Sequence, residues 1–260
     1  MYFIFTISFL IVIYISFIFN PNNYKDQIIN YVSAKTKYDF TYNGDIKISL
    51  FPYTKILMPN IELYKTSSDS KNMMITISKT ELSMSLRKLM DNIVDVSDMR
   101  AYGFKYYGIN ADDVLLKTYS LLKFSLFNTD HTNITTVKKM SAKANISENE
   151  MKIKDIYMET EMMEATGSGT IDMITKVANF KMVGNIKKYD NIISSYQNKY
   201  PEELVGEELP IIISGELNNL SIAIDLKHIV IKKVTSIKEK AIETIKEKVI
   251  DELKEKIKLP

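Results

Sequence analysis

The chain has 260 residues, of which 45% are hydrophobic and 25% are charged, a composition typical of a folded protein and not of a disordered one. Its 34 Lys and Arg nearly balance its 32 Asp and Glu, which excludes a strongly basic nucleic-acid binder as the default class. Because Cys is absent and only 2 His are present, disulfides, thiolate chemistry and Cys- or His-rich metal centres are excluded.

The first predicted element is a transmembrane anchor over residues 1–20. Residues 1–19 carry no charged side chain. A helix rises ~1.5 Å per residue and needs about 20 apolar residues to cross a bilayer core, so the run is long enough. A cleaved signal peptide is the alternative, but signal peptidase needs small residues before the cut, and this run ends in Ser16-Phe17-Ile18-Phe19. The sequence therefore favours an uncleaved anchor.

An amphipathic connector helix is predicted next, over residues 21–37, because apolar residues recur there at helical spacing. From Tyr38 the apolar period changes to two, which is typical of strands. Asn43-Gly44 separates two such alternating runs and predicts a hairpin between them, since both central turn residues need a positive φ. These runs open an N-terminal β module predicted over residues 38–127.

The rest of this module is predicted to consist of strands followed by one helix. Strands are expected around Ile61–Leu63, over Met73–Leu86 and over Ile93–Tyr107. The alternation slips near Lys79–Glu81, which predicts a bulge. The segment Asp112–Phe127 fits either a helix or strands, and we favour a helix.

A polar stretch, Asn128–Asn133, is the best internal boundary, and a C-terminal β module is predicted over residues 128–231. Its strands are the short alternating segments Val137–Ile146, Met151–Met158, Glu161–Ile174 and Ala178–Ile186, followed by a strand pair over Leu209–Leu226. An amphipathic C-terminal helix is predicted over residues 232–260, where apolar residues step by three or four.

Four segments, taken in order behind the anchor and the connector helix, carry a family resemblance. The first is Tyr38–Tyr64, with its Phe51-Pro52 strand end, and the second is Met73–Met90. The others are the Gly-rich strand start Ala165–Met173 and the "proline, apolar run, Ser-Gly, strand, Asp" segment Leu209–Leu226. This order of features resembles the AsmA family of bacterial envelope proteins.

The resemblance implies a mainly β (β-rich α+β) fold. It has an N-terminal transmembrane helix, an elongated curved antiparallel sheet with an apolar groove, and a long amphipathic C-terminal helix. It also implies an inner-membrane-anchored, single-pass protein whose bulk is periplasmic. The charge count disagrees, because Lys25, Lys35 and Lys37 follow the anchor and none precedes it, which places the bulk in the cytoplasm. We follow the resemblance on this point.

The function implied is a role in outer-membrane biogenesis, in which the protein binds phospholipid or helps to transfer it along the groove. The alternative is a scaffold or regulator of outer-membrane protein assembly that carries no lipid. The expected partners are membrane phospholipid, the inner membrane and an envelope protein, with no nucleic acid, cofactor or metal.

Period-2 strands leave one apolar face on the sheet, and few predicted helices are available to cover it. Acyl chains would cover it, since each buried CH₂ contributes ~0.8 kcal/mol. For each candidate residue an ordinary core position is the alternative. The candidate lipid-binding residues are Ile46, Ile48, Leu50, Ile61, Leu63, Leu82, Met84, Leu86, Ile153, Ile171, Ile211 and Ile213.

The sequence contains no evident catalytic set, so we expect no enzymatic activity. Gly167-Ser168-Gly169 lacks the further residues of a phosphate loop and is predicted to be a turn or bulge. His131 and His228 have no acid and nucleophile in a recognisable arrangement. Asp112-Asp113 is predicted to be an acid pair at a helix N-terminus.

The predicted C-terminal helix has four possible roles. It caps the groove, contacts an anionic membrane surface, pairs with another helix, or is a solvated helix packed against the end of the sheet. The sequence favours the last of these.

Overall fold

A computed structural model describes residues 20–49, 54–67, 70–85, 94–123, 132–147, 149–192 and 194–257. The predicted transmembrane anchor falls almost entirely outside these ranges. Among the helices within them, none combines the length and the apolar character needed to cross a membrane.

The described residues form one antiparallel sheet with four α-helices, which confirms the mainly β prediction. The α-helices are α1 (Lys25–Thr36), α2 (Ala111–Leu122), α3 (Ser194–Gln197) and α4 (Lys227–Ile257). Short 3₁₀ helices lie at Pro21–Tyr24, Tyr189–Asn191 and Glu202–Leu204. The strands are β1 (Asp39–Tyr42), β2 (Lys47–Ser49), β3 (Thr54–Ser67), β4 (Ser70–Met84), β5 (Val94–Tyr107), β6 (Ile134–Ile146), β7 (Glu150–Glu159), β8 (Met163–Asp172), β9 (Val177–Ile186), β10 (Leu209–Glu216) and β11 (Asn219–Ile224).

Each strand from β3 to β10 pairs with the next one in the chain, so the sheet is a long meander. β5 and β6 pair over most of their length, and the sheet therefore continues across the predicted module boundary. The division into two modules stays a prediction. The connector helix is found as a 3₁₀ turn followed by α1, and α2 occupies the segment for which we favoured a helix.

The predicted hairpin at Asn43-Gly44 is wrong. β1 and β2 do not pair with each other; both pair with β3 and lie end to end along one edge of it. The Asn43 N–H donates to the Asn60 carbonyl across this interruption, at 3.0 Å. Gly44 has φ +109, and a Cβ there would lie 2.8 Å from Pro59 Cγ. The glycine therefore allows its backbone to lie close to the Pro59 side chain and does not form a two-residue turn.

The apolar alternation of β4 changes phase between Ile75 and Leu82, but the register shifts of its pairing lie at Leu63/Tyr64 and Ser83/Met84 and not at the predicted Lys79–Glu81. Ile75 and Leu82 pair with Leu63 and Ile56 of β3, and both of those β3 residues pack in one cluster. Residues on one face of a regular strand are an even number of positions apart. Ile75 and Leu82 are seven positions apart, so the alternation must change phase between them. A residue with positive φ, Asn60 (φ +43), lies between the two β3 residues. The register shifts at Leu63/Tyr64 and Ser83/Met84 are irregularities of the bulge type, which bend strands and increase twist.

The sheet is curved enough for distant strands to meet. Tyr106 Oη on β5 accepts a hydrogen bond from the Leu220 N–H on β11 at 3.0 Å. In a flat sheet, six strand spacings of ~4.8 Å would separate these strands by about 29 Å. The Lys176 ammonium after β8 likewise donates to the Lys35 carbonyl at the end of α1, at 3.0 Å. We call the resulting concave channel the trough.

Two apolar clusters stabilise this shape. A small one lies beneath α1, where Phe40, Tyr42 and Ile46 pack against partly buried residues of the helix and β3. The main one fills one end of the trough, where α2 contributes the fully buried Leu115 and Leu116. The segment between β9 and β10 packs on this same cluster. One end of the trough is therefore closed by the chain itself.

Candidate functional site

One face of the sheet is apolar across nearly its whole width. Strand pairing places paired residues on the same face, so a row can be followed from strand to strand. Beginning at β11, one such row runs through Ile222, Ile213, Phe180, Gly169, Ile153, Ala144, Val96 and Met84. This face lines the trough.

Most of the predicted lipid-binding residues lie on this face, as the same registers show. They are Ile48, Ile61, Leu63, Leu82, Met84, Ile153, Ile171, Ile211 and Ile213. Ile46 is buried beneath α1 and lies outside the strands. Leu50 and Leu86 fall outside the described residues. Their assignment to lipid binding stays a prediction throughout.

A cavity of about 220 Å³ remains open within the trough. Its walls are almost entirely apolar and come from every strand between β4 and β11. They include Ile75, Met99, Phe104, Val137, Met140, Ile156, Met158, Met182 and Ile222, together with Ala142 and Tyr106. Apolar cavities bind apolar molecules.

The structure brings three of the predicted residues together in this cavity: Ile153, Ile171 and Ile213. Ile211 is buried in the main cluster instead. Ile61 and Leu63 pack against the cluster beneath α1. Ile48 and Leu82 border a separate surface depression of about 400 Å³, which also has charged walls.

Sequence reasoning missed the larger side chains of the cavity, such as Phe104, Met140 and Phe180. The strands of Phe104 and Met140 change phase within their length, so a single period-2 alternation assigns part of each of these strands to the wrong face. In β5 the signal was Gly103, which has φ +61 and lies between Met99 and Phe104, two cavity residues an odd number of positions apart.

The Gly167-Ser168-Gly169 prediction of a turn or bulge is wrong, because these residues lie inside β8. The bulge is on the neighbouring strand β7, between Ile153 and Ile156, which pair with the two glycines. Phe180 packs directly on Gly169: a Cβ added to this glycine would lie 2.7 Å from Phe180 Cγ and closer still to the Asn179 carbonyl oxygen. The missing side chain is therefore required for this close packing.

We expect Gly169→Ala to destabilise the protein by about 1–3 kcal/mol, because the added methyl overpacks against backbone and ring. The matched control is Ser168→Ala at the next position, whose exposed side chain leaves the opposite face, and it should change stability by less than about 0.5 kcal/mol. Urea denaturation followed by circular dichroism measures both. Equal midpoints for the two variants would contradict this account of the glycine.

Tyrosine hydroxyls lie where the two sides of the trough meet. Tyr106 is buried, and burial raises the pKa of its hydroxyl. Burial also raises the pKa of Tyr38, with further contributions from the charge of Glu216 and from Tyr106. Tyr106 lies on β5 and Tyr38 directly precedes β1, and the raised pKa values keep both hydroxyls neutral at physiological pH.

The closed end of the trough is organised by a buried carboxylate. Asp112, in the first turn of α2, is 3% exposed and accepts hydrogen bonds from the Thr160 hydroxyl at 2.6 Å and the Glu161 N–H at 3.2 Å. Asn110 caps the same helix and also donates to Tyr196 Oη at 3.2 Å. Burial raises the pKa of Asp112 to about 6 and that of Tyr196 to about 12. The predicted acid pair at a helix N-terminus is confirmed, and one member ties α2 to the turn between β7 and β8.

A comparison with known protein families matches the N-terminal part of the chain. Residues 1–106 match the model of the AsmA family. The match confirms the AsmA resemblance for the N-terminal part of the chain, from the predicted anchor to the penultimate residue of β5. The matched residues reach into β5 on one side of the trough, and β6 to β11 on the other side lie outside the matched range. No match to a curated protein was found.

Proposed function

We propose that this AsmA-like protein works in the bacterial envelope by holding a phospholipid acyl chain in the trough. The observation that carries the proposal is the continuous apolar face with an open apolar cavity at its centre. In this proposal the chain is anchored in the inner membrane through residues 1–20, its bulk is periplasmic, and it supports outer-membrane biogenesis without catalysing a reaction.

The size of the cavity sets how much lipid it takes. A cavity of ~150 Å³ binds a benzene-sized molecule, whereas pockets for drug-sized ligands are about 300–1,000 Å³. At about 220 Å³ the cavity lies between these values. It therefore accommodates a section of one acyl chain, and the remainder of the lipid lies along the apolar face or outside the trough.

A second candidate function is a scaffold or regulator of outer-membrane protein assembly that carries no lipid. One observation favours it: α2 and the segment between β9 and β10 already fill one end of the trough with buried side chains such as Leu116 and Leu204. On this reading the cavity is a packing defect in an otherwise complete core.

Photo-crosslinking distinguishes the two functions. The full chain, in membranes containing a phospholipid with a diazirine in its acyl chain, should yield adducts on cavity residues such as Phe104 and Ile222 when irradiated. Peptide mass spectrometry locates them. Adducts confined to residues 1–20 would instead identify contact at the predicted anchor alone, and the scaffold function would take precedence.

A further inference from the structure

Helix α4 leaves the core soon after it begins. Ile229 is its last described residue buried in the main cluster. The large apolar side chains that the structure describes after it are exposed, among them Ile231 at 66%, Val234 at 60% and Ile245 at 60%. We expected a solvated helix packed against the end of the sheet; the described side chains of residues 230–248 are solvated, and their exposure contradicts packing there.

These exposed apolar residues form one stripe. With successive residues turning about 100° around a helix, they fall within an arc of roughly 120° on the side away from Ile229. The stripe consists of Val230, Ile231, Val234, Ala241, Ile242 and Ile245.

The charges of residues 230–248 are arranged unequally around this stripe. Lys238 and Lys248 lie within its arc, and Lys246 lies beside it. Glu239 lies about 20° further round the helix than Lys246, and Glu243 and Glu247 lie on the far side together with Lys232 and Lys240. Among the described side chains, the charges within the arc of the stripe are thus all positive, and they are carried on long side chains that can extend away from an apolar surface.

We propose that α4 lies on an anionic lipid bilayer, with the apolar stripe inserted at the level of the headgroups. Charge decides between this partner and a second copy of the helix. Pairing two identical stripes would bring Lys238 of each copy close to like charge, whereas acidic headgroups neutralise these lysines. This surface is separate from the trough, so the inference stands independently of lipid binding there.

Because the chain contains no Trp, an introduced Trp is a unique reporter. The full chain carrying Ile245→Trp is reconstituted into vesicles of phosphatidylcholine alone or with phosphatidylglycerol. We expect its emission to shift to shorter wavelength, with quenching by acyl-brominated lipid, only when phosphatidylglycerol is present. Glu243→Trp, on the far side of the same helix, should keep solvent-like emission in both vesicles.

Charge reversal provides the matched test. Lys246→Glu in the Ile245→Trp chain should weaken the response to phosphatidylglycerol by about fivefold or more, while Lys240→Glu on the far side should change it little. Solvent-like emission from Ile245→Trp in both vesicles would overturn the proposal. A shift that needs no anionic lipid and grows with protein concentration would also overturn it, and would identify a second copy as the partner.

Discussion

Replacing Ala142 by Phe should abolish lipid crosslinking in the trough while leaving the protein folded. Ala142 is a buried member of the main cluster that also lines the cavity, so the larger ring can enter the open cavity. It displaces a volume comparable to about four methylenes, each of which contributes ~0.8 kcal/mol on burial. The expected loss is about 3 kcal/mol of binding free energy, or roughly a hundredfold in affinity.

The matched control is Val183→Phe. Val183 is 37% exposed and follows the cavity residue Met182 on β9, so its side chain leaves the opposite face of the sheet. Both variants are measured by adduct yield on the cavity peptides and by thermal unfolding. If folded Ala142→Phe kept the adducts of the unmodified chain, the acyl chain would not occupy the cavity.

The sequence predicted the strands of this sheet better than it predicted their partners. Alternation identified the apolar face over most of the chain, because burial on one side of a strand leaves a period of two. It failed at the Asn43-Gly44 hairpin, since a local turn signal says nothing about a third strand that pairs with both runs. Partner choice is a tertiary property.

The cavity itself was less predictable than the face. Ile153, Ile171 and Ile213 were identified from alternation alone. Phe180 and the glycines of β8 were not, because their closeness depends on strand register and on the bulge in β7. The curvature of the sheet brings the Tyr106 hydroxyl on β5 to the Leu220 N–H on β11. The residue pattern along a single strand cannot predict a contact between strands that are so far apart in the sheet.

The fold should become less stable as pH rises through the titration of Asp112. Burial raises the pKa of this carboxyl from 3.8 to about 6, so the folded protein prefers the protonated form more strongly than the unfolded chain does. The stabilising contribution is therefore complete below pH 3.8 and is lost as pH rises through about 6. A shift of about two units corresponds to about 3 kcal/mol.

Asp112→Asn isolates this contribution, because the amide is neutral at every pH and keeps an oxygen to accept from Thr160. Relative to this variant, the unfolding free energy of the unmodified chain should fall by about 2 kcal/mol between about pH 4.5 and about pH 7.5. Other titrating groups, including Glu159, whose pKa is lowered by its hydrogen bond from Lys187, are common to both chains and cancel in the difference.

A second variant tests the cause of the shift. The Thr160 hydroxyl donates to Asp112 and holds the pKa of that carboxyl down against the effect of burial. Thr160→Val should therefore raise the pKa of Asp112 further and move the loss of stability to higher pH. Urea denaturation across the pH range measures all three chains. Parallel curves for the unmodified chain and Asp112→Asn would show that the carboxylate at the start of α2 is not protonated preferentially by folding, and that the closed end of the trough does not respond to pH through this residue.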